Sequence, residues 1–262
     1  MGISRVFQHS RYNLKAWDSL LSTRNLKITW QLQSSSMVAT SLQKSSCLQA
    51  RDQTLYELRT YSIYPEKMKD FLALTAEELH LRTAHSKLLG YWTSEIGGLN
   101  QVVHIWEYDS LSHRSEVRAR LANDSQWVGR YLSRVIGMMQ QQDNVLLTLL
   151  PGNSLNLPSD QGVYELQTLN LEGSPGLWSQ TLVERVRAWA GSADSRSRMI
   201  GAWRSVLGPT HLAAVLWQHE NPDCCLTLRD TIDSLSQKEE MTFHITGGHS
   251  KLLLPHAVSN LQ

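Results

Sequence analysis

Leu89-Gly90-Tyr91-Trp92 and Ile200-Gly201-Ala202-Trp203 form one short pattern written twice, 111 residues apart. The same spacing carries Val103-His104-Ile105-Trp106 onto Ala214-Val215-Leu216-Trp217, and Arg118 with Leu121 onto Arg229 with Ile232. Upstream, Tyr56-Glu57-Leu58 recurs as Tyr164-Glu165-Leu166. Each copy closes on an apolar run ending in proline, Leu146-Leu147-Thr148-Leu149-Leu150-Pro151 and Leu252-Leu253-Leu254-Pro255. A spacing held constant over so long a stretch marks an internal duplication, so the folding unit is one copy rather than the whole chain.

Within the first copy, the β-formers of Thr54 to Tyr61 predict a strand. Pro65 suits a first helical position, and Met68, Phe71, Leu72, Thr75 and Leu79 follow at helical spacing. Leu88 to Ile96 and Gln101 to Tyr108 read as strands around Gly97-Gly98-Leu99-Asn100, a turn in which glycine supplies positive φ cheaply. Leu111 to Met139 reads as helix, broken at Asn123-Asp124, and Asn144 to Leu150 as the last strand. The order βαββαβ is the ferredoxin-like arrangement. The second copy repeats it with a weaker first helix, in which Gly173-Ser174-Pro175-Gly176 precedes Leu177, Trp178, Leu182 and Val186. The fold class is α+β, two tandem ferredoxin-like βαββαβ units over residues 51–151 and 163–262, joined by a linker over 152–162.

Such a unit covers one sheet face with helices and leaves the other bare. Along Val102 to Tyr108 one face shows Val102, His104, Trp106 and Tyr108, the other Val103 and Ile105, and both are too apolar for water. The two copies are expected to bury their bare faces against each other. The face carrying His104, Trp106 and Tyr108 is expected to point at the interface between the copies.

Charge is unevenly spread. Residues 1–50 hold six of the 25 Lys+Arg, one acid (Asp18) and ten serines, so they carry +5 while the rest of the chain carries −4. An Arg-rich, Ser-rich, acid-poor start is the composition of a mitochondrial-type leader. A slightly acidic body is a poor partner for nucleic acid, whose binding rests on neutralising phosphate. No apolar run reaches the ~18 residues of a spanning helix. Cys47, Cys224 and Cys225 form no Cys-x-x-Cys, so no disulfide framework or zinc site is expected.

No phosphate-binding glycine loop, nucleophile elbow or His-Glu-x-x-His is present, and no cofactor, metal or catalytic residue is expected. Three looser groups remain. His80, Arg82 and His85 end the first long helix, where cationic side chains complement the helix dipole; His80 and Arg82 are also candidates for a cleft. His104, with Val215 at the matching place in the second copy, shares its face with Trp106 and Tyr108, and these could line a pocket for something flat or aromatic. His113, Arg114, Arg118 and Arg120 make a basic patch on the second helix, a solvated face or a docking surface for an acidic partner.

The stretch Leu55-Tyr56-Glu57-Leu58-Arg59-Thr60-Tyr61, then His80-Leu81-Arg82-Thr83, Leu89-Gly90-Tyr91-Trp92, Gly97-Gly98-Leu99-Asn100, His104-Ile105-Trp106-Glu107-Tyr108 and His113-Arg114 with Arg118, resembles the NIPSNAP family. The likeness runs from Leu55 to Pro255 and is similar to the branch of shorter, more divergent homologues. It implies a dimeric α/β-barrel body, mitochondrial residence with a cytosolic pool, no established enzyme activity, and a role as an adaptor in vesicular transport or mitophagy. Partners would be mitochondrial or autophagy-linked proteins, with a homo-oligomer as a further option. The related barrel superfamily also contains oxygenases and haem-handling proteins. The alternative is therefore a binder of haem or an aromatic metabolite, or an oxygenase-like enzyme, using the cleft between the repeats. The second copy departs from the pattern at Asn221-Pro222-Asp223-Cys224-Cys225, where a polar, basic helix start is expected.

Overall fold

The computed structural model describes residues 54–192, 196–238 and 245–262; the leader read at 1–50 lies outside them. The first half runs β1 (Leu55–Ile63), α1 (Met68–Glu78), β2 (Lys87–Ile96), β3 (Gln101–Tyr108), α2 (Leu111–Asn123) and β4 (Met139–Leu149). The second runs β5 (Val163–Leu171), α3 (Pro175–Ser192), β6 (Ser197–Leu207), β7 (Leu212–His219), α4 (Asp223–Lys238) and β8 (Ile245–Pro255). Around the sheet the order is β1-β3-β2-β8-β5-β7-β6-β4, closing on itself as an eight-stranded antiparallel barrel. The halves join edge to edge, β2 on β8 (Trp92 opposite Pro255) and β4 on β6 (Leu149 opposite Trp203). The barrel is therefore completed within one chain, and closure leaves no strand edge unpaired.

The barrel interior holds Tyr56, Leu58, Trp92, Val103, Ile105, Tyr164, Leu166, Trp203 and Leu216 among its buried residues. Two aromatic contacts cross between the halves: Trp92 packs on Tyr164 with ring centroids 5.5 Å apart, and Tyr56 on Trp203 at 5.8 Å. These contacts explain the glycine of the repeated pattern. A Cβ on Gly90 would run into the Trp92 indole, and one on Gly201 into that of Trp203. The strand bulges beside both glycines, between Leu88 and Gly90 and between Met199 and Gly201, which aims each indole inward.

Two expectations are corrected. The face of β3 bearing Val102, Trp106 and Tyr108 does not point at the other half; it lies beneath α1 and α2 with Phe71, Leu74 and Val117. Side-chain alternation sorted the residues correctly, but the sheet curls so that the Val103 and Ile105 face becomes the barrel interior. The two copies thus bury their bare faces against each other as expected, in one closed core. The other correction concerns β4: the helical stretch breaks at Asn123, as read, and resumes in a π-helical turn over Trp127–Leu132, but β4 begins at Met139 rather than Asn144. Residues 140–144 are all exposed, so this end of the strand lacks the alternation that would betray it; its pairing with β1, Gln142 opposite Tyr61, holds it extended. Among the described residues no helix is long and apolar enough to cross a membrane.

Candidate functional site

A buried polar cluster lies between the sheet and the helices of the first half. Alternation along β1 turns Glu57, Arg59 and Tyr61 to the helix side, opposite Trp106, His104 and Val102 of β3. Glu57, 1% exposed, accepts hydrogen bonds from Arg114 at 2.6 Å, Asn144 at 2.6 Å and the Tyr108 hydroxyl at 3.3 Å. Arg59 stands 4.0 Å from the same carboxylate. Burial alone would raise the Glu57 pKa; the Arg114 hydrogen bond, the Arg59 charge and the Asn144 amide outweigh it and hold the carboxyl down to about 2.

Arg82, on the helical turn His80–Thr83 that follows α1, is buried as well. It donates to the Tyr108 hydroxyl at 3.2 Å and lies 4.0 Å over the Trp106 ring, a cation–π contact strengthened by desolvation. His104 accepts the Trp106 indole N–H on Nδ1 at 2.6 Å, which places its own proton on Nε2. Tyr91 stacks on the imidazole at 5.0 Å and Tyr61 meets it edge-on at 4.8 Å. Burial first, then the Arg59 and Arg82 charges, push the His104 pKa well below 6.5, so the ring is neutral. Its Nε2 makes no hydrogen bond among the described residues.

Of the cleft residues read from the sequence, His104, Trp106, Tyr108 and Arg82 converge, but under the helices of one half. His80 stays outside, exposed, with Nδ1 against the Glu77 carbonyl at 2.9 Å. Arg82 is no solvated dipole partner, because Trp106 gives it a face and Tyr108 an acceptor. The basic patch divides too. Ser110 caps α2 through the His113 N–H, and this start directs Arg114 inward to Glu57 and leaves His113 half-buried against Tyr108. Arg118 and Arg120 remain exposed. A groove of ≈ 220 Å³ opens beside Glu57 and Arg114, bordered by Leu111 and Leu207. Sequence reading missed Glu57, Arg59 and Tyr61, although their alternation along β1 was there to be seen.

The second half carries a related cluster. Glu165 of β5, 3% exposed, is bound by Arg229 of α4 and Ser250 of β8, and faces His219 of β7 at 3.5 Å. Burial would raise its pKa, and contacts with His219, Ser250 and Arg229 hold it down to about 2. Asn221 caps α4, accepting from Asp223 and Cys224 N–H, so Cys224 is buried and Cys225 half-buried in the first turn. Burial, with the Glu165 charge, pushes the Cys225 thiol up to about 12. Only the 111-residue spacing hinted at this group, by setting His219 against Tyr108 and Cys225 against Arg114.

A family model described as NIPSNAP matches residues 56–152. Protein NipSnap homolog 3A of Homo sapiens is 33% identical over 227 residues, spanning 80% of this chain and 87% of the relative. Protein NipSnap homolog 3B of Mus musculus is 34% identical over 215 residues, 76% and 86% of the two chains. Among solved structures, a putative monooxygenase from Fusobacterium nucleatum superposes with TM-score 0.57 at 10% identity, over 80% of this chain and 95% of that one. At so low an identity the likeness concerns the fold alone.

Proposed function

Since the chain belongs to the NIPSNAP family, we propose that it is a non-enzymatic adaptor that associates with mitochondria and presents the outer face of its first half to protein partners. Vesicular transport and mitophagy signalling are the settings this reading favours. One observation carries it. Glu57 and its partners beneath α1 and α2 are turned on one another: three donors hold Glu57 as an ion, so this carboxyl is not poised to exchange protons near neutral pH. On the same helix, Arg118 and Arg120 are exposed, where cations steer an acidic partner. The two halves are read as tandem ferredoxin-like units over 51–151 and 163–262, with 152–162 as linker. Residues 1–50 are read as a mitochondrial-type leader on their composition.

The test places the full chain, tagged at its C-terminus, beside a form beginning at Arg51 and beside the full-length double substitution Arg118→Glu, Arg120→Glu. Fractionation and proximity labelling should put the full chain at mitochondria and the shortened form in the cytosol. The double substitution should keep the location and lose most of the labelled partners. A cytosolic full chain, or an unchanged partner set after charge reversal, overturns the reading.

A further inference from the structure

The Glu165 cluster is the first half's network rebuilt from different chemistry. Glu165 stands on β5 as Glu57 stands on β1, while the 111-residue spacing sets His219 in place of Tyr108 and Cys225 in place of Arg114. A phenol and a guanidinium thus give way to an imidazole and a thiol. Donor atoms of Glu165, His219 and Cys225 all lie within 4.8 Å of one another. Glu165 Oε2 and His219 Nε2 are 3.5 Å apart, and both are buried without a hydrogen-bond partner among the described residues. We propose that Glu165, His219 and Cys225 form a binding site for a divalent transition-metal ion of zinc type.

The geometry and the donor set agree. Zinc held tetrahedrally at about 2.0–2.3 Å from its ligands sets neighbouring donors roughly 3.3–3.7 Å apart, the separation already found between the carboxylate and the imidazole. The thiol has only to close in by about an ångström on that same scale. One oxygen, one nitrogen and one sulfur suit a borderline-soft ion and not magnesium or calcium. An outer shell is also in place. Ser197 Oγ lies 2.9 Å from His219 Nδ1, which fixes the ring with Nε2 turned to the site. Arg229 and Ser250 occupy Glu165 Oε1, so Oε2 is the oxygen available. Cys225 binds as the thiolate and gives its proton to solvent. Three protein donors leave a fourth position for water or an incoming ligand. The first half cannot copy the site, because Arg114 and Tyr108 offer no comparable donors.

The site stands independently of the adaptor reading and can be tested on the full chain. Metal-stripped protein is titrated with Co²⁺ and followed by absorption, then challenged with Zn²⁺. One equivalent of Co²⁺ should produce a thiolate-to-cobalt charge-transfer band with tetrahedral ligand-field bands, all removed by Zn²⁺. The charge-transfer band should vanish in Cys225→Ser and persist in Cys224→Ser. Ser197→Ala, which touches no ligand directly, should weaken Zn²⁺ binding by about 10–100-fold. The proposal fails if the wild-type chain gives no charge-transfer band, if the band survives Cys225→Ser, or if Ser197→Ala binds as tightly as wild type.

Discussion

In the first half the buried carboxylate of Glu57 draws Arg114 from the opening turn of α2, Asn144 from β4 and the Tyr108 hydroxyl from β3. In the second, Glu165 draws Arg229 from one turn further along α4, Ser250 from β8, and faces His219. Residues four apart share a helix face, so either turn can deliver the guanidinium. Arg118 matches Arg229 by position, yet the first half uses Arg114 for the task and leaves Arg118 in solvent. What the scaffold demands at this point is a counter-charge for a carboxylate on its first strand, not a given residue. Once Arg229 meets that demand, the position matching Arg114 is released and holds Cys225. The enclosures differ as well: the Arg114 side chain is 20% exposed and that of Arg229 45%.

The largest expected effect separates the two carboxylates. Glu57→Gln leaves Arg59 and Arg114 unpaired beneath the helices and should cost about 3–5 kcal/mol at pH 7, as for breaking a buried pair from one side. Glu165→Gln should cost clearly less, because water screens Arg229. Chemical denaturation of both variants decides this, and equal losses would break the comparison. Each carboxyl has a folded pKa of about 2 against an ordinary 4.5. Its contribution is therefore present above pH 4.5 and lost as pH falls towards 2. Either variant should show a shallower acid limb across that window.

Next come the paired glycines, where the halves should behave alike. Gly90→Ala and Gly201→Ala each push a Cβ against an indole of the barrel interior, and overpacking of this kind costs about 1–3 kcal/mol. Thermal melting should show similar losses, with both near-ultraviolet tryptophan signals perturbed. A harmless Gly201→Ala would mean that Trp203 has room Trp92 lacks, and that the duplicated core has diverged.

The duplication and most of the strands were legible because they rest on periodicity and a constant spacing, which survive in a linear string. Barrel closure was not. The β2–β8 and β4–β6 joins pair strands from different copies, and nothing local to Trp92 announces Pro255 as its neighbour. Alternation told which residues of β3 share a face, but Val103 with Ile105 and Val102 with Trp106 are equally apolar, so it could not tell which pair faces inward. Arg82 could be read only as a helix-end cation or a cleft candidate, since its partners Trp106 and Tyr108 lie a whole hairpin away in sequence. Glu57 and Arg59 were more accessible: two charges on alternate positions of a strand must find company on one face. The Glu165 group was hidden because its three donors come from two strands and a helix start, with no motif spacing among them.

The smallest expected effect concerns His104, whose counterpart in the second half, Val215, is apolar. Its folded pKa lies well below 6.5, through burial and then the Arg59 and Arg82 charges. Below pH 6.5 the unfolded chain takes up a proton that the folded chain refuses, so stability is present above 6.5 and declines as pH falls, by up to about 1.4 kcal/mol per pH unit for one such group. His104→Gln keeps an acceptor for the Trp106 N–H and carries no titrating ring. At pH 8 it should stay within about 1 kcal/mol of wild type, and between pH 6.5 and 5 its stability should fall less steeply. Some slope will persist, because burial lowers the His256 pKa in the same direction. Urea midpoints at pH 8, 6.5 and 5.5 decide the matter. An unchanged slope would mean that the folded protein accepts a proton at His104 despite two neighbouring guanidinium groups, and that the first half is less tightly closed around its charges than its geometry indicates.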